Sequence, residues 1–142
     1  MIVVGVDGSE GAASALEFAA AEAALRGATV RIVSAWDLPP TVYEAGLAPA
    51  PPLIPETMEA LSERAQQLAD EGLATVKKLQ PSVSGEAVAV QGQAADALLA
   101  QAEEADLIVV GRRGLGGFKS LLLGSVSQQV VQHASCPVVV VR

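Results

Sequence analysis

The chain has 142 residues, 51% of them hydrophobic, which is enough for one compact domain and too little for two. Sixteen acids against nine bases leave a net charge of -7, and aromatics make up only 3%. With neither a basic face nor an aromatic stacking platform, DNA and RNA are excluded as partners.

The opening MIVVGVDGSE has no basic leader, and the longest apolar runs, such as ADLIVV and PVVVV, fall far short of the ~20 residues a membrane helix needs. A cytoplasmic protein with no membrane partner is expected. With few aromatics, the core must come from Val, Leu, Ile and Ala, a palette suited to buried parallel strands under Ala-rich helices.

Taken in chain order, Met1 to Val6 is an apolar run bounded by Asp7-Gly8-Ser9 and reads as a buried first strand and its loop. Ser9 can cap a helix from Glu10 to Arg26 with Leu16, Ala20 and Ala23 on one face, and Gly27 supplies the left-handed stop. Thr29 to Trp36 is the second strand. Six of the eight prolines lie between Asp37 and Pro55, so this stretch can neither pair in a sheet nor propagate a helix and reads as a long surface loop.

A long helix is predicted from Pro55 or Glu56, with Leu61, Ala65, Leu68, Gly72, Val76 and Leu79 forming one buried stripe. Glu86 to Val90 is the third strand and Ala94 to Glu104 the third helix, with Leu98, Leu99 and Ala102 inward. Leu107 to Val110 is the fourth strand. A helix from Ser125 to His133 turns Val126, Val130 and Ala134 to one side, and Pro137 to Val141 is the fifth strand. The predicted fold is therefore an α/β single domain over residues 1–142: an open five-stranded parallel sheet with right-handed crossovers and helices on both faces.

Residues 111–127, GRRGLGGFKSLLLGSVS, place three bases among five glycines, and no acid occurs after Asp106. Such a segment at the carboxyl end of the fourth strand would open onto the same crevice as Asp7 at the end of the first. It is not a Walker A loop, because Lys119-Ser120 follows Phe118 rather than Gly, and G-x-G-x-x-G is absent as well. The remaining pattern, Gly111-x2-Gly114-x9-Gly124-Ser125, has a physical use at each point. Gly111 and Gly114 let backbone pass close under a ribose or phosphate, and Gly124-Ser125 opens a helix whose free amides, with the Ser125 and Ser127 hydroxyls, form an anion cradle. The plainer alternative is a flexible loop kept soluble by its bases.

The stretches VVGVDGSEGA, ADLIVVGRRG and LLLGSVSQQVVQHASCPVVVVR, with the uninterrupted G-2x-G-9x-G-(S/T) spacing, resemble the universal stress protein family, in its ATP-binding subgroup. The resemblance implies a Rossmann-like sheet of the adenine nucleotide alpha hydrolase-like type and a homodimer formed through the last strand, 138–141. It implies ATP with Mg as ligand, in a nucleotide-dependent regulatory or stress-response role. By position, Gly5 and Val6 would border the ribose, Asp7 would stand beside the nucleotide and its metal, and the backbone of Ala35 would meet the adenine. Val110, Gly111, Arg113 and Gly114 would line the ribose and first phosphates, and Gly124, Ser125, Val126 and Ser127 the triphosphate. The family commonly has a small polar residue where Arg112 stands, and no contact is assigned to Arg112.

Several residues carry a competing structural reading. Asp7 either caps the Gly8-Ser9 turn or meets metal and nucleotide. His133, without a second ligand at metal spacing, is read as structural, Cys136 as an inert packing thiol, and Trp36 and Tyr43 as packing for the Pro-rich loop. No catalytic set is evident, so slow or absent turnover is expected. A nucleotide-independent dimeric interaction protein and a weak ATPase or autophosphorylating enzyme, with Ser120, Ser125 and Ser127 as phosphoserine candidates, are the alternatives.

Overall fold

Ile2, Val3 and Val4 are completely buried, because the strand that carries them, β1 (Ile2–Gly5), is hydrogen-bonded on both edges and covered on both faces. A computed structural model describes residues 1–37, 53–115 and 123–142, with side chains left aside at 53–56. In it β1 is followed by α1 (Glu10–Arg26), β2 (Val30–Trp36), α2 (Leu53–Leu79), β3 (Gly85–Gln91), α3 (Ala94–Gln101), β4 (Leu107–Gly111), α4 (Ser125–His133) and β5 (Val138–Val141). The sheet order is β3-β2-β1-β4-β5 and every pairing is parallel. On one edge of β1, Ile2 is in register with Val30; on the other, with Leu107.

Alternation along the strands divides the core in two. Ile2, Val4, Val30, Ile32, Leu107 and Val109 pack with α1 and α2 on one face, while Val3, Val33, Ile108 and Val110 pack with α3 and α4 on the other. The helix α1 begins where the Ser9 hydroxyl accepts the amide of Ala12 at 3.2 Å, and stops where Gly27 turns left-handed (φ 61) and its N–H bonds the Ala23 carbonyl. Both ends are where the sequence sets them. Its buried alanines, Ala12, Ala15, Ala19 and Ala23 among them, bring its axis close to the sheet.

Three expectations need correction. The long helix begins at Leu53 rather than at Pro55 or Glu56. Its inward face is Ala65, Ala69, Gly72 and Val76, flanked by Leu61, Leu68 and Leu73, whereas Leu79 is 46% exposed. The helix ends at Leu79, and Val83 in the following turn takes the place against the core. The third helix stops at Gln101 rather than Glu104, because the amide of Ala102 bonds the carbonyl of Leu99 at 3.1 Å and tightens the last turn. Strand ends shift by a residue at β1, β2, β3, β4 and β5. Most of the Pro-rich loop, with Tyr43, and residues Phe118 to Ser120 lie outside the described residues. Among the described residues no helix is long and apolar enough to cross a membrane.

Ile108 is wholly buried in the core of the second face. Ile108→Ala is expected to cost roughly 2–5 kcal/mol in urea unfolding, while Leu25→Ala, on the exposed side of α1, stays within about 0.5 kcal/mol.

Candidate functional site

The chain runs outward from β1 through β2 to β3, then returns to β4 on the other side of β1, so the crossovers diverge at the β1/β4 boundary. In such a sheet the crevice lies beyond the carboxyl ends of the strands at that reversal. A cavity of about 520 Å³ occupies it. The end of β1 and its turn contribute Gly5, Val6 and Asp7, β2 contributes Ala35, the end of β4 contributes Val110, Gly111, Arg113 and Gly114, and the start of α4 contributes Gly124, Ser125, Val126 and Ser127. All twelve residues singled out from the sequence thus share one wall.

Residues that the sequence reading missed complete it: Ser9 and Ala12 at the start of α1, Val33 in β2, Ala94 and Leu98 in α3, and Leu115. Val33 could have been found, since it lies two residues before Ala35 and strand alternation puts both on one face. Leu98 could not, because its approach to Gly5, where an added Cβ would come within 2.8 Å of its Cδ1, is a tertiary fact.

The wall has two characters. Val6, Val33, Ala35 and Leu98 make one part apolar. The other part holds Arg113 and the first turn of α4, whose N-cap, Gly124, offers no side chain to cap the helix amides. The Nε of Arg113 is buried and, among the described residues, has no hydrogen-bond acceptor. A buried guanidinium N–H left unpaired costs free energy until something accepts from it. It is the orphan group around which an anion would fit.

The glycines do their work differently from the expectation. A Cβ on Gly111 would lie 2.5 Å from the carbonyl carbon of Gly11, and one on Gly11 would lie 2.4 Å from the carbonyl oxygen of Arg113. The bare faces of Gly111 and Gly11 therefore meet each other, and the start of α1 packs backbone to backbone on the end of β4. Gly114 is needed for a similar reason, since its Cβ would fall 2.2 Å from Asp7 Oδ2. At Gly124 a Cβ would find its nearest neighbour at 3.4 Å, an ordinary contact.

Asp7 accepts two backbone bonds, from the amide of Ser9 at 2.9 Å through Oδ1 and from the amide of Leu115 at 3.0 Å through Oδ2. The turn-capping role is therefore present, and a second segment is held as well. Ser127, 2% exposed, directs its hydroxyl to the carbonyls of Arg112 and Gly124, both at 3.0 Å, so its one proton is engaged inside the protein rather than offered to a ligand. The carbonyl of Arg112 also accepts the amide of Gly124 at 2.8 Å, and its own amide donates to Val141 at 2.7 Å. Arg112 serves through its backbone.

Among the described residues no group of three or more His, Cys, Asp or Glu could hold a metal ion. His133 ends α4, roughly 12 Å along the helix axis from Ser125. Cys136 is half-buried, and burial pushes its thiol above the ordinary value.

The sequence pattern of the Universal stress protein family matches residues 1–142 without remainder. The chain belongs to that family. A universal stress protein from Thermus aquaticus is 39% identical over 143 residues, covering 99% of this chain and 97% of its own length. Mycobacterial universal stress proteins are about twice as long, and the chain spans 45% of one from Mycolicibacterium smegmatis. Among solved structures, a universal stress protein in complex with cAMP is 28% identical, with a TM-score of 0.69 over 99% of this chain and 94% of its own. The universal stress protein from Archaeoglobus fulgidus in complex with dAMP is 27% identical, with a TM-score of 0.67 over 99% and 96%. The universal stress protein fold here is thus the Rossmann-like sheet that the sequence pattern implies.

Two measurements check this local architecture. Gly111→Ala must push two backbones apart and is expected to lose roughly 1–3 kcal/mol in thermal unfolding, against less than about 1 kcal/mol for Gly124→Ala; equal melting of the two variants would contradict the close approach of Gly11 and Gly111. Burial disfavours the Cys136 thiolate, so alkylation by iodoacetamide at neutral pH is expected to be slower than for a free thiol, with its inflection displaced above about 8.5.

Proposed function

We propose that this universal stress protein domain binds an adenine nucleotide, ATP with magnesium, in the cavity at the β1/β4 boundary, and acts as a cytoplasmic homodimer whose regulatory state follows occupancy. The observation that carries the reading is the buried, unpaired Arg113 Nε beside the uncapped start of α4, in a cavity whose other part is apolar. A planar apolar base joined to a polyanion has this same division. The volume lies within the ~300–1,000 Å³ of small-molecule sites, and two similar structures carry cAMP and dAMP.

The lining residues suggest a division of roles that extends the one drawn from the sequence. Val6, Val33, Ala35 and Leu98 would pack the base and ribose; Arg113 and the amides of Ser125, Val126 and Ser127 would hold phosphate oxygens. Magnesium keeps several waters and takes phosphate oxygens readily, so it needs no protein cage. Asp7 is the sole carboxylate among the described residues of the wall, and with both oxygens already accepting amides it would meet the metal through water. Asp7 is the single carboxylate in that set and is already engaged by two amides, which favours binding over turnover. The edge strand β5, with Val138 to Val141 half-buried, is the surface that a second copy would cover by pairing along it.

The test is to denature freshly purified protein, identify released nucleotide by chromatography, and titrate Mg-ATP into emptied wild type, Arg113→Gln and Gly124→Trp. Saturable binding is expected, reduced roughly 10- to 100-fold in Arg113→Gln by loss of a charge-assisted contact and abolished in Gly124→Trp. No released nucleotide and no binding heat at several temperatures would sink the reading. Light scattering at micromolar concentration should report a dimer.

A further inference from the structure

Asp7 is bonded to two stretches of chain that lie far apart in sequence, its own turn at Ser9 and the segment after β4 at Leu115. The Leu115 side chain is 77% exposed and does not anchor that segment. Its amide on Asp7 Oδ2 does. Upstream, the amide of Arg112 is fixed to Val141, and the carbonyl of Arg113 lies so close to Gly11 that no Cβ would fit between them. Arg113 therefore sits on a span held at both ends and pressed from one side, and only one of those three restraints comes from a side chain.

From this arrangement we infer that Asp7 is a positioning residue: its carboxylate clasps the Leu115 amide and so sets where the Arg113 guanidinium stands in the cavity, instead of acting as a ligand of the metal. The inference rests on the nucleotide-binding reading above for its functional consequence, though not for the clasp itself. A carboxylate suits the task because it is acceptor-only and can receive two amides that approach from different directions. Gly114 belongs to the same device, since any side chain there would strike Oδ2.

Asp7→Asn keeps the shape and removes one arm, because an amide side chain facing two N–H donors can accept from only one of them through its oxygen. The experiment compares wild type, Asp7→Asn, Arg113→Gln and the double variant in titrations with AMP in the absence of magnesium and with Mg-ATP. Asp7→Asn is expected to weaken both ligands by about tenfold, the scale of one charge-assisted bond. On top of Arg113→Gln the same change should add no more than about twofold, since the two residues act through one contact. Fully additive losses, or a loss confined to Mg-ATP, would overturn the inference in favour of a direct ligand or metal role.

A second measurement needs no nucleotide. In the wild type the Leu115 amide should be protected from hydrogen exchange in NMR spectra, and in Asp7→Ala, which removes both acceptors, it should exchange at least about tenfold faster, as expected when a hydrogen bond of local stability is lost. An amide that exchanges freely in the wild type refutes the clasp whatever the titrations give. Protection together with no adenylate binding at all would refute the nucleotide reading, and with it the assigned consequence, while leaving the clasp standing. Should Asp7→Asn fold poorly by circular dichroism, Gly114→Ala, which displaces Oδ2 from the other side, must show the same non-additivity with Arg113→Gln.

Discussion

The pairing of β1 on both its edges is the constraint from which the rest of the structure follows. Parallel strands that follow one another in the chain are joined by crossovers, and a first strand paired on both edges requires the chain to cross back over it. The chain travels from β1 to β2 and β3, and then must return past its own starting point to reach β4. Where the two routes part, a cavity lies beyond the ends of β1 and β4. Its existence depends on topology, and its shape on the contact between Gly11 and Gly111, which lets the start of α1 lie directly against the end of β4. A Cβ at either position would push apart the start of α1, which Asp7 precedes, and the end of β4, which Arg113 follows.

The peptide unit of Arg112 is the second joint. Its amide reaches Val141 at the end of β5, and its carbonyl receives both the Gly124 amide and the Ser127 hydroxyl at the start of α4. The uncapped helix terminus on the cavity wall and the last strand of the sheet are therefore held in one hydrogen-bonded unit. The guanidinium of the next residue, Arg113, is left to the cavity. In two adjacent arginines the backbone of one and the side chain of the other carry the structure and the site respectively.

How much of this was legible follows from where the information resides. Helix limits came through wherever a local signal marks them: Ser9 and Gly27 bound α1, and Gly124 and His133 bound α4, to the residue. They slipped where no such signal exists, as at Gln101, whose closing turn is made by the Leu99 carbonyl; the buried stripe of α2 slipped at Leu79, which is exposed while Val83 in the following turn meets the core. The twelve residues picked out by the glycine spacing and the family resemblance all line the cavity, so much of its wall was legible. The reasons for the glycines were not. A missing Cβ declares that something comes close, and only the tertiary fold says that the neighbour of Gly111 is Gly11 and that of Gly114 is Asp7. The Ser127 hydroxyl, engaged by two carbonyls, was invisible for the same reason.

The electrostatics of the wall turn on a pairing that is not made. Asp7 and Arg113 line the same cavity, and a salt bridge between them would have neutralised it and set the capture of an anion in competition with an internal ion pair. Instead the Asp7 carboxylate is satisfied by the amides of Ser9 and Leu115, and the buried Nε of Arg113 has no acceptor among the described residues. Bonding to neutral amides lets the carboxylate order the loop without drawing the guanidinium to itself. In a chain with seven more acids than bases, keeping the one carboxylate on the described wall occupied by backbone is what leaves a positive group available there.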